Sequence, residues 1–353
     1  MTLMSPDAAA IKRALAAAPF GFGASGLGNL YKAIDEAASR ATLDAAWAEG
    51  VRYYDTAPFY GFGLAERRMG DGLRERDRGD FILSTKVGRL LQPIARASER
   101  HGFVSPMPFE PLFDYSYDGV MRSFEHSIQR LGLSRIDILY MHDIGAYTHG
   151  DANPALFDTA MEGGYRALDE LRGGGQVGAI GLGVNEVAVC EASFAHADFD
   201  LFMLAGRYSL LDQSPLDGFF DACLKRGTGI VAAGVFNSGI LATGTRGGGT
   251  PHYDYQPASP EILERTRRIE AICDAHNVPL PAAALQFAGA HPAVVTSVIG
   301  TASPARMHDT GRLATYPIPA AFWQDLRDQA IIRSDAPVPA GRSCPEFTHD
   351  HHP

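Results

Sequence analysis

The sequence predicts a closed (β/α)8 barrel, and three observations carry that expectation. Short apolar runs rich in β-branched residues alternate with amphipathic stretches, which is the rhythm of strand and crossover helix. Eight such runs occur: Phe20–Gly23, Tyr53–Asp55, Phe81–Lys86, Ile136–His142, Ala179–Gly183, Leu201–Ala205, Gly229–Ala233 and Val295–Gly300. The longest connections, 87–116, 143–162 and 235–259, all leave the C-terminal ends of strands, where a barrel builds its active site. No repeat and no shift in composition marks a boundary, so one domain is expected over residues 1–353, with a core of about 19–313.

Helical patterns fill the spaces between the runs. The first, Thr42–Glu49, has Ser39 as its expected N-cap and ends at Gly50. Others are expected over Leu64–Arg74, Tyr117–Arg130, Gly164–Arg172, Glu186–Ala197, Pro215–Arg226 and Pro260–His276, with an extra piece at Pro281–Ala290. Ala8–Ala18 carries Lys12 and Arg13 within an apolar stretch and reads as a loose arm or short helix, not as a signal peptide. The glycines Gly247–Gly249 suggest a mobile lid in the seventh connection.

Composition narrows the function classes. At 46% apolar residues the chain has ample material for a large core. A net charge of −10, with no basic cluster interleaved with aromatics, argues against nucleic acid as a partner. No run of eighteen apolar residues occurs, so no membrane span is expected. The four cysteines, Cys190, Cys223, Cys273 and Cys344, lack metal or redox spacing and read as reduced thiols, which makes a cytoplasmic address the default. His349-Asp350-His351-His352 reads as a polar tail rather than a metal site, and no metal is expected.

One motif misleads. Gly21-Phe22-Gly23-Ala24-Ser25-Gly26 fits the dinucleotide pattern GxGxxG and follows a strand. That mechanism needs a helix to open at once, its N-terminus facing the pyrophosphate. Here 27–38 reads as loop, so the glycines are assigned to a turn after the first barrel strand.

The chemistry lies elsewhere. Asp55 ends the second run, Tyr60 follows five residues later, Lys86 ends the third run and His142 the fourth. Parallel neighbouring strands bring these four groups to one rim. Hydride transfer between a carbonyl and a nicotinamide needs a group that gives or takes the oxygen's proton. A phenol, with an ordinary pKa of about 10, is a poor base at neutral pH. A neighbouring lysine cation lowers that value, a carboxylate holds the lysine charged, and a histidine can orient the reacting oxygen.

The stretch Tyr54-Asp55-Thr56-Ala57-Pro58-Phe59-Tyr60-Gly61, with Ser84-Thr85-Lys86 and Tyr140-Met141-His142, resembles the motifs of the aldo-keto reductases. The resemblance runs from about Gly21 to Thr310. It implies Tyr60 as general acid/base, Lys86 and Asp55 as the groups that tune it, and His142 as the residue that positions substrate. It implies NAD or NADP as cofactor, with contacts from Asp55, Asn185, Phe236, Asn237, Gly239, Gly300, Thr301, Ser303, Arg306 and Asp309. The chain departs from the family pattern at Val184, Ala205 and Ala233, where a serine, a glutamine and a stacking aromatic are usual; Phe236 is a candidate to replace the aromatic. No lysine stands at Gly300 to meet a 2′-phosphate, but Arg306 is present.

Met141-His142-Asp143, the stretch Ala205–Gln213 and Phe236-Asn237-Ser238-Gly239-Ile240-Leu241 resemble the branch that holds L-fucose (D-threo-aldose) 1-dehydrogenases and pyridoxal 4-dehydrogenases. This implies oxidation of a cyclic hemiacetal to a lactone, with a small-molecule sugar, L-fucose first, as the expected substrate and pyridoxal as the alternative. Asp143 and Asn237, beside His142 and Tyr60, are then candidates to contact substrate, as are Tyr147 and His252. A monomer or weak homo-oligomer is expected. Two rival readings are a nucleotide-binding regulatory barrel without turnover and a metal-dependent isomerase or lyase. The latter needs several carboxylates or histidines at strand ends, where only Asp55, His142 and Asp143 are found.

Overall fold

A computed structural model describes residues 5–96 and 98–340; Cys344 and the histidine-containing tail lie outside the described residues. Eight strands form a closed barrel: Gly21–Gly23, Tyr53–Asp55, Ile82–Val87, Ile138–His142, Ala179–Val184, Leu201–Ala205, Gly229–Ala233 and Val294–Gly300. Every pairing is parallel, and the first strand closes on the eighth.

Side chains alternate between the barrel interior and the helix layer, as the two-residue period of a strand requires. On the second strand Tyr54 faces outward and meets Phe81 edge to face, ring centroids 6.1 Å apart. Tyr53 faces inward and packs with Ile82, Ile138, Tyr140, Leu201, Met203 and Val231. Two interior tyrosines need space that glycines supply. A β-carbon at Gly21 would stand 2.5 Å from the Tyr53 ring, and one at Gly181 would meet the Leu201 carbonyl at 1.8 Å.

Three regions differ from the sequence expectation. The first crossover helix is Glu36–Ala48, and its N-cap is Asp35, whose carboxylate accepts from the Ala38 amide at 2.7 Å. Asp35 wins because it can face solvent, whereas Ser39 is buried inside the helix. The N-terminal stretch is a regular helix, Ala8–Ala17, capped by Asp7. Its Ile11 and Leu15 are fully buried and join the same interior cluster as Tyr53 and Tyr140, closing the barrel floor. Packing also continues beyond residue 313, where helix Ala320–Asp328 buries Phe322 and Trp323, the latter stacked on Phe287.

The expected dinucleotide decoy forms a single 3-10 turn, Gly26–Gly28, and the helix waits until Glu36. The long connections gather at the C-terminal rim. After the third strand an antiparallel hairpin pairs Arg89–Pro93 with Phe109–Phe113. After the seventh, helix Ile240–Thr243 leads to a short hairpin, His252–Tyr253 with Gln256–Pro257. Cys190, Cys223 and Cys273 are buried free thiols. Among the described residues no helix is long and apolar enough to cross a membrane.

The floor helix generates a stability prediction. Leu15→Ala removes a fully buried side chain that the barrel cannot refill from solvent, so a loss of about 2–5 kcal/mol is expected. Urea denaturation measures it; a change below about 1 kcal/mol would mean that the helix is not part of the cooperative core.

Candidate active site

The strand period also places the site. Asp55, Lys86 and His142 lie at the C-terminal ends of the second, third and fourth strands. In the parallel register Asp55 stands opposite Ser84, Lys86 opposite Tyr140, and His142 opposite Gly183. Gly183 has no side chain to block the lysine stem; a β-carbon there would lie 3.3 Å from Lys86 Cε.

Tyr60 arrives from a loop whose seat is cut by two glycines. A β-carbon on Gly28 would fall 2.6 Å from the Tyr60 carbonyl carbon, and one on Gly61 would fall 2.4 Å from the Gly28 oxygen. Gly61 also has φ of +63°, the left-handed region that suits glycine. The first and second connections therefore touch backbone to backbone directly beside Tyr60.

Lys86 is the hub. Its Nζ donates to Asp55 Oδ2 at 2.7 Å, to the Thr56 carbonyl at 3.0 Å and to Tyr60 Oη at 3.1 Å. An ammonium carries three N–H bonds and no acceptor, so all of them are committed. Tyr60 oxygen accepts from Lys86, and its own hydrogen is left to point elsewhere. The His142 ring stands perpendicular to the Tyr60 ring, centroids 6.2 Å apart.

The electrostatics follow from burial and from these partners. Asp55 and Lys86 are each 2% exposed. Burial raises the Asp55 carboxyl, while the Lys86 charge and hydrogen bonds from Lys86 and Ser84 oppose it. Burial alone would lower Lys86, but Asp55 and Tyr60 outweigh it and push the ammonium up to about 12. Burial raises the Tyr60 phenol, Lys86 pulls it down, and Asp55 pushes it up again. The lysine thus acts in the expected direction, yet the net value is raised rather than lowered, because desolvation of a phenolate is the larger effect. His142 is held well below the ordinary imidazole range by burial, with the Arg89 and Lys86 cations adding to the effect. It is neutral at neutral pH and has one N–H to donate.

The outer candidates are placed less simply. Asp143 was expected to read substrate hydroxyls; instead its carboxylate pairs with Arg89 and accepts from Asn185 Nδ2. Arg89 is itself buried, with its guanidinium 4.1 Å from the Phe59 ring centroid and 5.0 Å from that of Phe113. A carboxylate in so desolvated a setting needs that cation. Asn237 is also buried, donating to the Gly206 carbonyl at 3.0 Å and leaving its own Oδ1 without a partner. Ser238 accepts from the Tyr255 amide. Tyr147 and His252 are exposed, and His252 bonds the Thr250 carbonyl.

Asn185 is engaged on both sides. It donates to Asp143, and its Oδ1 accepts from the Tyr255 hydroxyl at 3.2 Å. One N–H and one Oδ1 lone pair remain for a further partner such as a carboxamide. Tyr255 sits in a two-residue hairpin turn with φ of +63°, beside Asp254 at +49°. That turn favours asparagine and glycine, so a tyrosine there is strained. Arg207 holds the turn by pairing with both Asp254 carboxylate oxygens at 3.1 Å and with the Asn185 carbonyl. Neither Arg207 nor Tyr255 was singled out from sequence.

The eighth connection has the features of a phosphate seat. Gly300, Thr301 and Ala302 lead into helix Pro304–Ala314, whose N-cap Ser303 receives the Arg306 amide. Thr301 Oγ1 accepts from the Ser303 amide. Arg306 is exposed in the first turn and pairs with no carboxylate among the described residues. Asp309 is exposed and pairs with Arg312, and Gly239, with φ of +99°, starts the short helix after Asn237. Phe236 is partly buried against the core beside that turn. Free amides at a helix start, an uncommitted guanidinium and the unpartnered Asn237 Oδ1 fit a dinucleotide. Among the described residues no group of three or more His, Cys, Asp or Glu side chains is placed to hold a metal ion.

A closed parallel barrel with a buried Tyr–Lys–Asp cluster and a neutral histidine at one rim defines a class of oxidoreductases. The chain belongs to the aldo/keto reductase family, which matches residues 19–330 and whose members use a nicotinamide dinucleotide. It is 44% identical over 328 residues to pyridoxal 4-dehydrogenase of Microbacterium luteolum, covering 88% of this chain and 94% of that protein. It is 39% identical over 337 residues to D-threo-aldose 1-dehydrogenase of a Pseudomonas species, covering 94% and 99%. Among solved structures, the holo form of an aldo-keto reductase from Bacillus halodurans superposes with a TM-score of 0.69 at 24% identity, covering 89% of this chain and 92% of that one.

Lys86→Met tests the hub. Without the cation, burial and the Asp55 charge both act to raise Tyr60, so any residual oxidation should move to higher pH. The measurement is kcat against pH above neutrality, and an unchanged profile would remove Lys86 from the tuning role.

Proposed function

We propose that this protein oxidises a cyclic hemiacetal to a lactone, with the Tyr60 phenolate taking the hydroxyl proton as hydride leaves the carbon that bears that hydroxyl. The observation that carries the reading is the hydrogen count at Lys86. Its three donors are used on Asp55, Thr56 and Tyr60. The face of Tyr60 Oη turned away from Lys86 is therefore the one that exchanges a proton with substrate. NAD or NADP supplies the hydride acceptor when bound. Asp55, Asn185, Phe236, Asn237 and Gly239, with the seat at Gly300, Thr301, Ser303, Arg306 and Asp309, are the residues assigned to hold it. Arg306 suits a 2′-phosphate through charged hydrogen bonds, and the family's lysine at Gly300 is missing, so NAD or use of both cofactors is proposed.

His142 is assigned the N–H that orients the reacting oxygen. Held neutral and weakly basic by burial and the neighbouring cations, it can donate that bond and is a poor competitor for the proton that Tyr60 receives. The ionised pair beneath Tyr60 keeps a positive charge beside the phenolate that takes the proton.

Two substrates fit this chemistry. The aldose reading, L-fucose first, calls for open polar side chains at the rim, and Asp143, Asn237 and Ser238 are each engaged inside the protein. The wall beside His142 is Phe59, its ring centroid 6.2 Å away, with Arg89 stacked behind it. An aromatic wall backed by a cation favours a flat hemiacetal of the pyridoxal type, as does the 44% identical relative. The aldose reading stands second, supported by the relative named for D-threo-aldose.

Two measurements test the proposal. Tyr60→Phe should bind cofactor nearly as well as wild type while kcat falls by about 10²–10⁴-fold. Retention of more than about a tenth of kcat would remove Tyr60 from the acid/base role. A cofactor-reduction screen over pyridoxal, 6-deoxyhexoses and aldopentoses, with NAD and NADP in parallel, should find a substrate whose first product is a lactone. Turnover confined to aldoses would put the sugar reading first; no lactone from any hemiacetal would overturn the function.

A further inference from the structure

Beneath the four rim residues the barrel interior holds three hydroxyls that the proposed reaction does not use. Ser84 Oγ lies 2.7 Å from Asp55 Oδ1, Tyr53 Oη lies 3.0 Å from Ser84 Oγ, and Tyr140 Oη lies 3.2 Å from Tyr53 Oη. Ser84, Tyr53 and Tyr140 are all completely buried. They are also the residues two positions before Lys86, Asp55 and His142, so each rim group has a hydroxyl below it on the same inward face.

Hydrogen counting fixes the direction of this chain. An ionised carboxylate can only accept, so Ser84 donates to Asp55 and has no second hydrogen. The contact with Tyr53 then requires Tyr53 to donate to Ser84. By the same step Tyr140 donates to Tyr53. Three O–H dipoles therefore point one way, toward the carboxylate that holds Lys86. Aligned hydrogen bonds in a medium of low dielectric polarise one another, so the last one at Asp55 is stronger than an isolated hydroxyl contact.

We propose that Tyr140, Tyr53 and Ser84 are positioning residues that polarise Asp55 from inside the barrel and thereby set how much of the Lys86 charge reaches Tyr60. The proposal rests on the reading of Tyr60 as the acid/base. The chain neutralises part of the negative charge on Asp55 Oδ1. Without it, Asp55 draws Lys86 more strongly, the field at Tyr60 becomes more negative, and the phenol holds its proton to higher pH. Other titratable or charged groups around Tyr60 are His142, Asp143 with its partner Arg89, and Tyr255. The substitutions below leave all of them in place.

Tyr53→Phe alone would strand the Tyr140 hydroxyl in the core, so the informative variant is the double change Tyr53→Phe/Tyr140→Phe, which removes both ends of one bond. Ser84→Ala is the second variant and removes the donor that touches Asp55. Tyrosine labelled at Cζ with carbon-13, with the Tyr60 signal assigned by its loss in Tyr60→Phe, reports ionisation directly. The Tyr60 titration should move up by about half a pH unit or more in the double variant and further in Ser84→Ala. The limb of the pH profile for oxidation that reports Tyr60 should move with it. A purely structural role would lower the melting temperature and leave the titration where it is. An unmoved or downward-moved titration in both variants would overturn the proposal. Full activity of Tyr60→Phe would instead overturn the acid/base reading, and the carbon-13 titrations separate the two failures.

Discussion

The ion pair between Lys86 and Asp55 is the constraint around which this barrel is arranged. Two opposite charges, both nearly removed from water, are held 2.7 Å apart at the top of the interior. Burying such a pair is costly unless the remaining lone pairs and protons find partners. Here they do: the lysine also reaches Thr56 and Tyr60, and the carboxylate also receives Ser84. The glycine at 183 leaves room for the lysine stem, and the glycines at 28 and 61 let the Tyr60 loop approach. Changes at these positions act on the phenol through geometry, although none of them carries a functional group.

Much of this was legible in the sequence, for physical reasons that differ by residue. Strands declare themselves by composition and period, and the eight expected runs match the barrel to within a few residues at their ends. Asp55, Lys86 and His142 were legible because polar residues that end apolar strands stand out. Tyr60 was legible through its motif. The buried hydroxyls of Tyr53 and Tyr140 were not, since tyrosine in a strand reads as packing until its neighbours in space are known. The signal was nonetheless present as the repeated spacing Tyr53 to Asp55, Ser84 to Lys86 and Tyr140 to His142. A short helix over Ala8–Ala18 was one of the two expectations, but its role as barrel floor was not legible, because Ile11 and Leu15 are only two apolar anchors in an alanine-rich stretch, and what they fill is the open end of a barrel formed by residues far along the chain.

The outer site was the least legible part, because its contacts join loops distant in sequence. Asp143 follows His142 and reads as an open acceptor, yet Arg89, more than fifty residues earlier, claims it. Asn185 is engaged by Asp143 and by Tyr255, seventy residues later. The sequence of the hairpin tip, Asp254-Tyr255, gives no hint of a turn with positive φ at both positions, since glycine or asparagine would be usual there. Arg207 compensates by fastening Asp254 on one side and the Asn185 backbone on the other. The tip is held against its local preference by these contacts.

These features divide the site between a rigid half and an adjustable half. Asp55, Lys86 and His142 stand on strand ends, Asp55 receives Ser84 from the barrel interior, and Lys86 is held by Asp55. Burial raises the Tyr60 phenol and the Lys86 cation opposes it only while the two stay in register, which strands fix better than loops do. Asn185 is joined to Asp143 and to Tyr255, and Tyr255 to Ser238, by single hydrogen bonds among the connections after the fourth, fifth and seventh strands. The two halves meet at one rim but are held by different elements: Lys86 and Asp55 by the parallel register of neighbouring strands, and the mouth by side chains that reach from one connection to another.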